Sequence, residues 1–279
     1  MVRRSTRLLS PQMEALRQIE SWSAETAAAA VVTPSNTVLQ GPSKTVLRWA
    51  SVTKPVTALA VLVAAEEGTI ELDEPAGPPG STVRHLLSHA SGLPPDGGVP
   101  IARPGERRIY SNAGFEVVAD LVADHAEMPF EEYLRLAVLE PLGTGAELNG
   151  SPAWGLAGSL QDLVRIATEL LRPRLVAPET LAEATAVQFP GLDGVLPGFG
   201  RQEPNDWGLG LEVRGAKSPH WTGSRNSPRT FGHFGQTGTF LWVDPERDAA
   251  LACLTDRPFD QWSREAWPRL SDAVLEELG

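Results

Sequence analysis

The stretch RWASVTK, residues 48–54, decides how this chain is read. Lysine is scarce: the sequence holds three, and one of them, Lys54, stands three residues after Ser51. Upstream lies a short β-like run, TVLRWA (45–50). Downstream lies VTKPVTALAVLVAAEE (52–67), apolar on nearly every face and closed by Gly68, a suitable C-cap. A helix apolar all round belongs in the middle of a domain. Ser51 is therefore expected at the mouth of a buried helix, near free backbone N–H groups and the positive end of the helix dipole. A lysine at i+3 shares that face, and burial would lower its pKa and make it a base for the serine. The competing reading is that Ser51 only caps the helix and Lys54 runs out to solvent. On these two residues alone, capping is the better reading.

Two further motifs change the balance. Tyr110-Ser-Asn112 and His233-Phe-Gly235 follow in chain order. Composition alone predicts the set of three at roughly 0.004 per chain of this kind, with Y-x-N carrying most of the weight and H-x-G almost none. A tyrosine and an amide from another segment supply a proton relay and a hold on a substrate carbonyl or amide. With them, nucleophilic chemistry at Ser51 outweighs capping.

Bulk composition narrows the classes. A formal charge of −11 over 279 residues argues against nucleic acid and against an anionic membrane surface, both of which need clustered Lys and Arg. The N-terminal stretch 1–20 has no apolar core of signal-peptide length, and no apolar run spans a bilayer. Cys253 is alone, which excludes an internal disulfide and fits a reducing compartment, so a cytoplasmic location is expected. Oligomeric state is not legible.

Along the chain, PQMEALRQIESW (11–22) has the spacing of an amphipathic helix, and AAAAVVTP, NTVLQG and TVLRWA read as short strands between turn signals. Helical patterns occupy 82–89, 112–126, 130–142, 159–171 and 178–187. Strands return at 207–213, 239–243 and 249–255, the last two joined as a hairpin by DPERD, and a final amphipathic segment (261–278) is expected to kink or split at Pro268. This order predicts an α+β fold: one antiparallel sheet flanked by helices, with an inserted all-helical subdomain. The whole of 1–279 forms one domain on this reading, its α/β part at about 1–80 plus 200–279 and its helical part at about 81–199.

The same segments resemble the serine β-lactamase and penicillin-binding-protein superfamily, in its class C-like serine hydrolase and esterase branch. WASVTKPVTALAVLVAAEEGTIELDEP resembles the nucleophile helix. TVRHLLSHASGLP, RPGERRIYSNAGFEVVADLVA, EPLGTG and AGSLQDLVRIATELL resemble later landmarks, and GHFGQTGTFLWVDPE the strand beside the site, so the likeness runs from about 45 to 256. It implies Ser51 as nucleophile, Lys54 as general base, Tyr110 as the group that moves the proton to the leaving group, and Asn112 as a substrate contact. It also implies His233 in place of the lysine of K-T-G, Gly235 after it, and an oxyanion hole from the backbone N–H groups of Ser51 and Gln236. The family works without a metal or other cofactor.

Where β-lactam-processing relatives carry K-T-G, this chain has His233-Phe234-Gly235. Phe234 has no hydroxyl for a substrate carboxylate, and a neutral His233 supplies less positive field than a lysine. Small ester or amide substrates are the first expectation. A β-lactamase, D-Ala-D-Ala carboxypeptidase or D-aminopeptidase comes second, and a non-catalytic scaffold of the same fold is the alternative of another class. Trp154, Trp207 and Trp221 are candidate pocket walls, with Phe234. His85 and His89, at i and i+4, are read as packing residues and not as metal ligands, because no acidic or cysteine ligand follows at a diagnostic spacing.

Overall fold

A computed structural model describes residues 12–279. Strands β1 (Ala27–Val32), β2 (Thr37–Gln40) and β3 (Leu47–Arg48) lead through a 3-10 turn at Ala50–Val52 into α1 (Thr53–Glu66). Helices α2 (Val83–Leu87), α3 (Asn112–Ala126) and α4 (Phe130–Leu134, continued by a π turn to Leu139) follow. Then come β4 (Glu147–Leu148), β5 (Leu156–Gly158), α5 (Leu160–Leu171), α6 (Pro178–Thr185), β6 (Gly194–Leu196) and β7 (Gly200–Gln202). The chain closes with β8 (Glu212–Val213), β9 (Phe231–Phe234), β10 (Phe240–Asp244), β11 (Ala249–Thr255) and α7 (Gln261–Leu278).

The first and last strands share one antiparallel sheet, in the order β2-β1-β11-β10-β9-β8. Residues alternate between its two faces, as the two-residue strand period requires. Ala28, Ala30 and Val32 of β1, with Ala250, Ala252 and Leu254 of β11, face the core that holds α1, α3 and α5. Ala29, Val31, Leu251 and Cys253 face the opposite core, with Trp267, Leu270 and Val274 of α7. Both faces are covered, so these strands read as unbroken apolar runs. Helix α1 is buried on nearly all sides between α3, α4 and β9, which explains its lack of a polar face.

Four local expectations are corrected. The first helix is a 3-10 helix over Glu14–Ser21, and its proposed initial Pro11 lies outside the described residues, as does most of the 1–20 stretch. Helix α7 runs unbroken through Pro268, because Trp267, Leu270, Val274 and Leu275 pin both halves to the sheet. Within 207–213 only Glu212–Val213 is a strand; the segment folds back on itself, Gly208 N–H donating to Leu211 O, with Gly210 at φ 73°. A β-carbon at Gly210 would stand 2.3 Å from Ala58 Cβ, so this turn presses directly on α1. Finally, β3 joins a separate small sheet, β3-β5-β4, which carries one wall of the site.

Candidate active site

The 3-10 turn before α1 fixes Ser51. Ala50 adopts φ 46°, a left-handed conformation that costs an alanine energy and that recurs where function holds a backbone in place. Ser51 does not cap the helix: the N-cap position is Val52, with no side-chain cap bond. Nor does Lys54 reach solvent, since it is fully buried. Its Nζ lies 3.4 Å from Ser51 Oγ, donates to Asn112 Oδ1 at 2.8 Å and to the Ala153 carbonyl at 3.0 Å, and sits 4.7 Å from the centroid of the Tyr110 ring. Both elements of the capping alternative are therefore overturned by geometry.

Burial drives the Lys54 pKa well below the ordinary lysine value. The more distant carboxylates of Glu116 and Asp96 oppose this only in part. Lys54 makes no ion pair among the described residues. Tyr110 stands at the N-terminal approach to α3, whose cap is Ser111, accepting from Gly114 N–H at 3.1 Å. Desolvation pushes the Tyr110 phenol up, and the nearby Ser51 hydroxyl pulls the other way. Asn112, the first residue of α3, donates one of its two amide N–H groups to Asp96 at 3.2 Å.

Strand β9 forms the opposite wall. Its successor Gly235 must be glycine: a β-carbon there would lie 2.5 Å from the Trp49 carbonyl and 3.2 Å from Ser51 N. The Gln236 N–H that follows donates to no group among the described residues. His233 is buried, and its Nδ1 lies 2.7 Å from the Phe234 carbonyl. A carbonyl only accepts, so Nδ1 carries the proton and Nε2 is left as an unpaired acceptor. Burial and the nearby Lys54 hold the His233 pKa down to about 3, so the ring is neutral. Phe234 points to the α7 side, among Phe259, Phe199, Trp221 and Trp267.

A cavity of about 580 Å³ opens over Ser51 and is lined also by Tyr110, Asn112, His233, Phe234 and Gln236. Trp154 and Trp207 line it too, the first 46% exposed at the mouth and the second fully buried. Trp221 is absent from this wall: its indole Nε1 donates to Glu212 at 2.9 Å and its ring packs in the α7-side core. Glu212 does line the cavity, although sequence reading gave it no role. Lys217 and His220 hold this buried carboxylate ionised and push its pKa far down despite burial. Arg48, Asn149 and Leu196 are further wall residues that no motif announced. His85 stacks on Phe189 at 4.1 Å and hydrogen-bonds Thr82, and no group of three or more metal-ligating side chains is present among the described residues.

A buried lysine beside a serine at a helix start, faced by a tyrosine and an asparagine, is a set of groups suited to nucleophilic chemistry at the serine. A family model for beta-lactamase matches residues 19–276, and the chain belongs to the beta-lactamase family. A crystal structure of a beta-lactamase from Mycobacterium bovis is 53% identical, covers 95% of this chain and 99% of its own, and superposes with a TM-score of 0.93. The structure of EstCE1, described as a hydrolase with promiscuous acyltransferase activity, shares the fold at 17% identity and a TM-score of 0.75, covering 94% of this chain and 98% of its own. A Salmonella schwarzengrund protein named "Putative D-alanyl-D-alanine carboxypeptidase" is 24% identical over 210 residues, which is 56% of this chain. The match spans 46% of that protein, so the chain covers about half the length of the curated relatives it matches. No helix among the described residues is long and apolar enough to cross a membrane.

Proposed function

We propose that this protein is a serine hydrolase that forms an acyl-enzyme on Ser51, with small esters or amides as substrates. The observation that carries the reading is Lys54: fully buried, without a carboxylate partner, its Nζ 3.4 Å from Ser51 Oγ. A lysine kept short of water and counter-charge holds its proton weakly and can take the one on the serine. Ser51 Oγ attacks the carbonyl as its proton passes to Lys54. The oxyanion takes hydrogen bonds from the Ser51 and Gln236 backbone N–H groups. Tyr110, on the same cavity wall as Ser51 and with its ring 4.7 Å from Lys54 Nζ, hands the proton to the leaving group, and Asn112 holds Lys54 through Oδ1 and the substrate amide or ester through its second amide N–H. Water then attacks the acyl-enzyme by the same route in reverse.

Esters come first because His233 is neutral and Phe234 has no donor, which leaves that wall without the cation and hydroxyl that would anchor a β-lactam carboxylate. A second reading, β-lactam or D-Ala-D-Ala hydrolysis, is favoured by the 53% identity to a protein described as a beta-lactamase. Intact mass after brief mixing with a short-chain p-nitrophenyl ester, and separately with a penicillin, tests both readings against Ser51→Ala. An ester adduct absent from the variant is the expected result. A penicillin adduct places the second reading first. No adduct and no turnover with either would leave a folded scaffold and refute the proposal.

A further inference from the structure

The sequence marks His89 only as a packing residue, yet its contacts converge on one residue. It lies just beyond α2 in a left-handed conformation, φ 58°, and is 1% exposed. Its main-chain carbonyl accepts from Ile109 N–H at 2.9 Å, and its imidazole Nδ1 accepts from Ser111 N–H at 3.1 Å. Those two N–H groups belong to the residues on either side of Tyr110. The His89 ring also packs on the Tyr110 ring, centroids 4.6 Å apart, and is backed edge-on by Trp207 at 4.5 Å. One residue therefore holds both flanking peptides and the ring face of Tyr110.

The consequence extends one residue further. Ser111, tied to His89 through its N–H, caps α3 and donates to the Pro94 carbonyl at 2.7 Å. Asn112 begins α3 and accepts from Lys54. The His89 imidazole thus sets the origin of the segment carrying both Tyr110 and Asn112. It can do so only with a lone pair on Nδ1, that is, as the neutral ring protonated on Nε2; an imidazolium would oppose donor to donor. Burial, with Lys54, His233 and Arg108 nearby, lowers the His89 pKa well below that of a free histidine and keeps that form.

We propose that His89 is a positioning residue that clamps Tyr110 through its carbonyl and imidazole Nδ1, and so governs proton delivery to the leaving group. This rests on the acyl-enzyme reading above and assigns His89 no contact with substrate. A phenol that has drifted matters little for a leaving group that departs as a stable anion and much for one that must be protonated, and a displacement of about 1 Å can cost on the order of 100-fold.

The test compares Ser51 acylation by p-nitrophenyl, phenyl and benzyl esters of one short acid, per active site counted with a fluorophosphonate. In His89→Leu, which removes the acceptor, acylation by the benzyl ester is expected to fall about 30-fold or more beyond any fall with the p-nitrophenyl ester. In His89→Asn, Oδ1 sits one bond from Cγ as Nδ1 does, and asparagine tolerates the left-handed backbone. That variant is expected to restore the wild-type dependence on leaving group to within a few-fold. Equal losses across all three esters, or no loss, would overturn the proposal and mark His89 as packing. Because His89→Leu is liable to unfold, a second measurement uses the unaltered protein: ¹⁵N NMR of its histidines near neutral pH. An unprotonated, hydrogen-bonded Nδ1 whose signal disappears in His89→Asn is expected, and a protonated Nδ1 overturns the clamp. Absence of any Ser51 adduct in wild type would instead count against the acyl-enzyme reading, while the NMR result would still decide whether the clamp exists.

Discussion

Two of the chain's three lysines are buried within reach of the same cavity wall, and they are used in opposite ways. Lys217 is enclosed by anionic and carbonyl oxygen: it pairs with Glu212 and donates to the Asp206 carbonyl at 2.6 Å and to the Val213 carbonyl. Lys54 has a hydroxyl, an amide oxygen and a carbonyl, but no carboxylate. Desolvation lowers the pKa of both; at Lys217 the Glu212 charge opposes it at contact distance, whereas at Lys54 the opposing carboxylates are more remote. Burial alone thus does not make a base. Burial without a counter-charge does, and the fold must bear the cost of keeping a lysine that prefers to be neutral.

Substitution should separate the two lysines sharply. Lys54→Met is expected to lower Ser51 acylation by roughly 10³-fold or more, as loss of an activating base does, while its melting temperature stays at or above that of wild type. The sign follows from linkage: a lysine whose folded pKa is depressed is more protonated unfolded than folded, so below its unfolded pKa it works against folding, and stability rises with pH through that window. Lys217→Met should do the reverse. It leaves the Glu212 charge buried with only His220 and Trp221, and a loss of about 3–5 kcal/mol is expected by denaturant titration. Adding Glu212→Gln should recover part of it; a single Lys217→Met that melts like wild type would break the comparison.

Next in size is Gly235→Ala, whose new carbon would push against the Trp49 carbonyl and Ser51 N. On the order of 100-fold loss in kcat/KM is expected with the fold retained by circular dichroism. Wild-type activity should also fall as pH falls through the depressed pKa of Lys54, because only the neutral amine accepts the serine proton; a flat acid limb in kcat/KM would argue for another base. The smallest effect belongs to Trp154→Ala at the exposed mouth, where a few-fold rise in KM with unchanged kcat is expected.

The contrast also shows what a sequence can carry. RWASVTK and Y-x-N are local in the chain, and their grouping depends on neighbours one helical turn apart or on a single helix start, so Ser51, Lys54, Tyr110 and Asn112 were legible as candidates. The strands β1 and β11 were legible for a related reason: covered on both faces, they are unbroken apolar runs. Glu212, Lys217 and His220 were not, because a turn at Gly208–Gly210 and a long loop bring them together with no periodic pattern to mark it. Trp221 was misplaced for the same reason: its indole is drawn to Glu212 and away from the cavity. The Ala153 carbonyl on Lys54 is a backbone group, which no residue identity announces. His89 was visible as a residue, but its bonds to the two peptides around Tyr110 exist only in the fold.

The most direct test of the central claim follows the lysine side-chain signals by NMR through a pH titration. Three lysines make the spectrum tractable, and Lys54→Met and Lys217→Met assign two of them by loss. On raising the pH Lys54 is expected to give up its proton first, while Lys217 stays charged beside Glu212. Lys217 deprotonating before Lys54, or the two together, would contradict it.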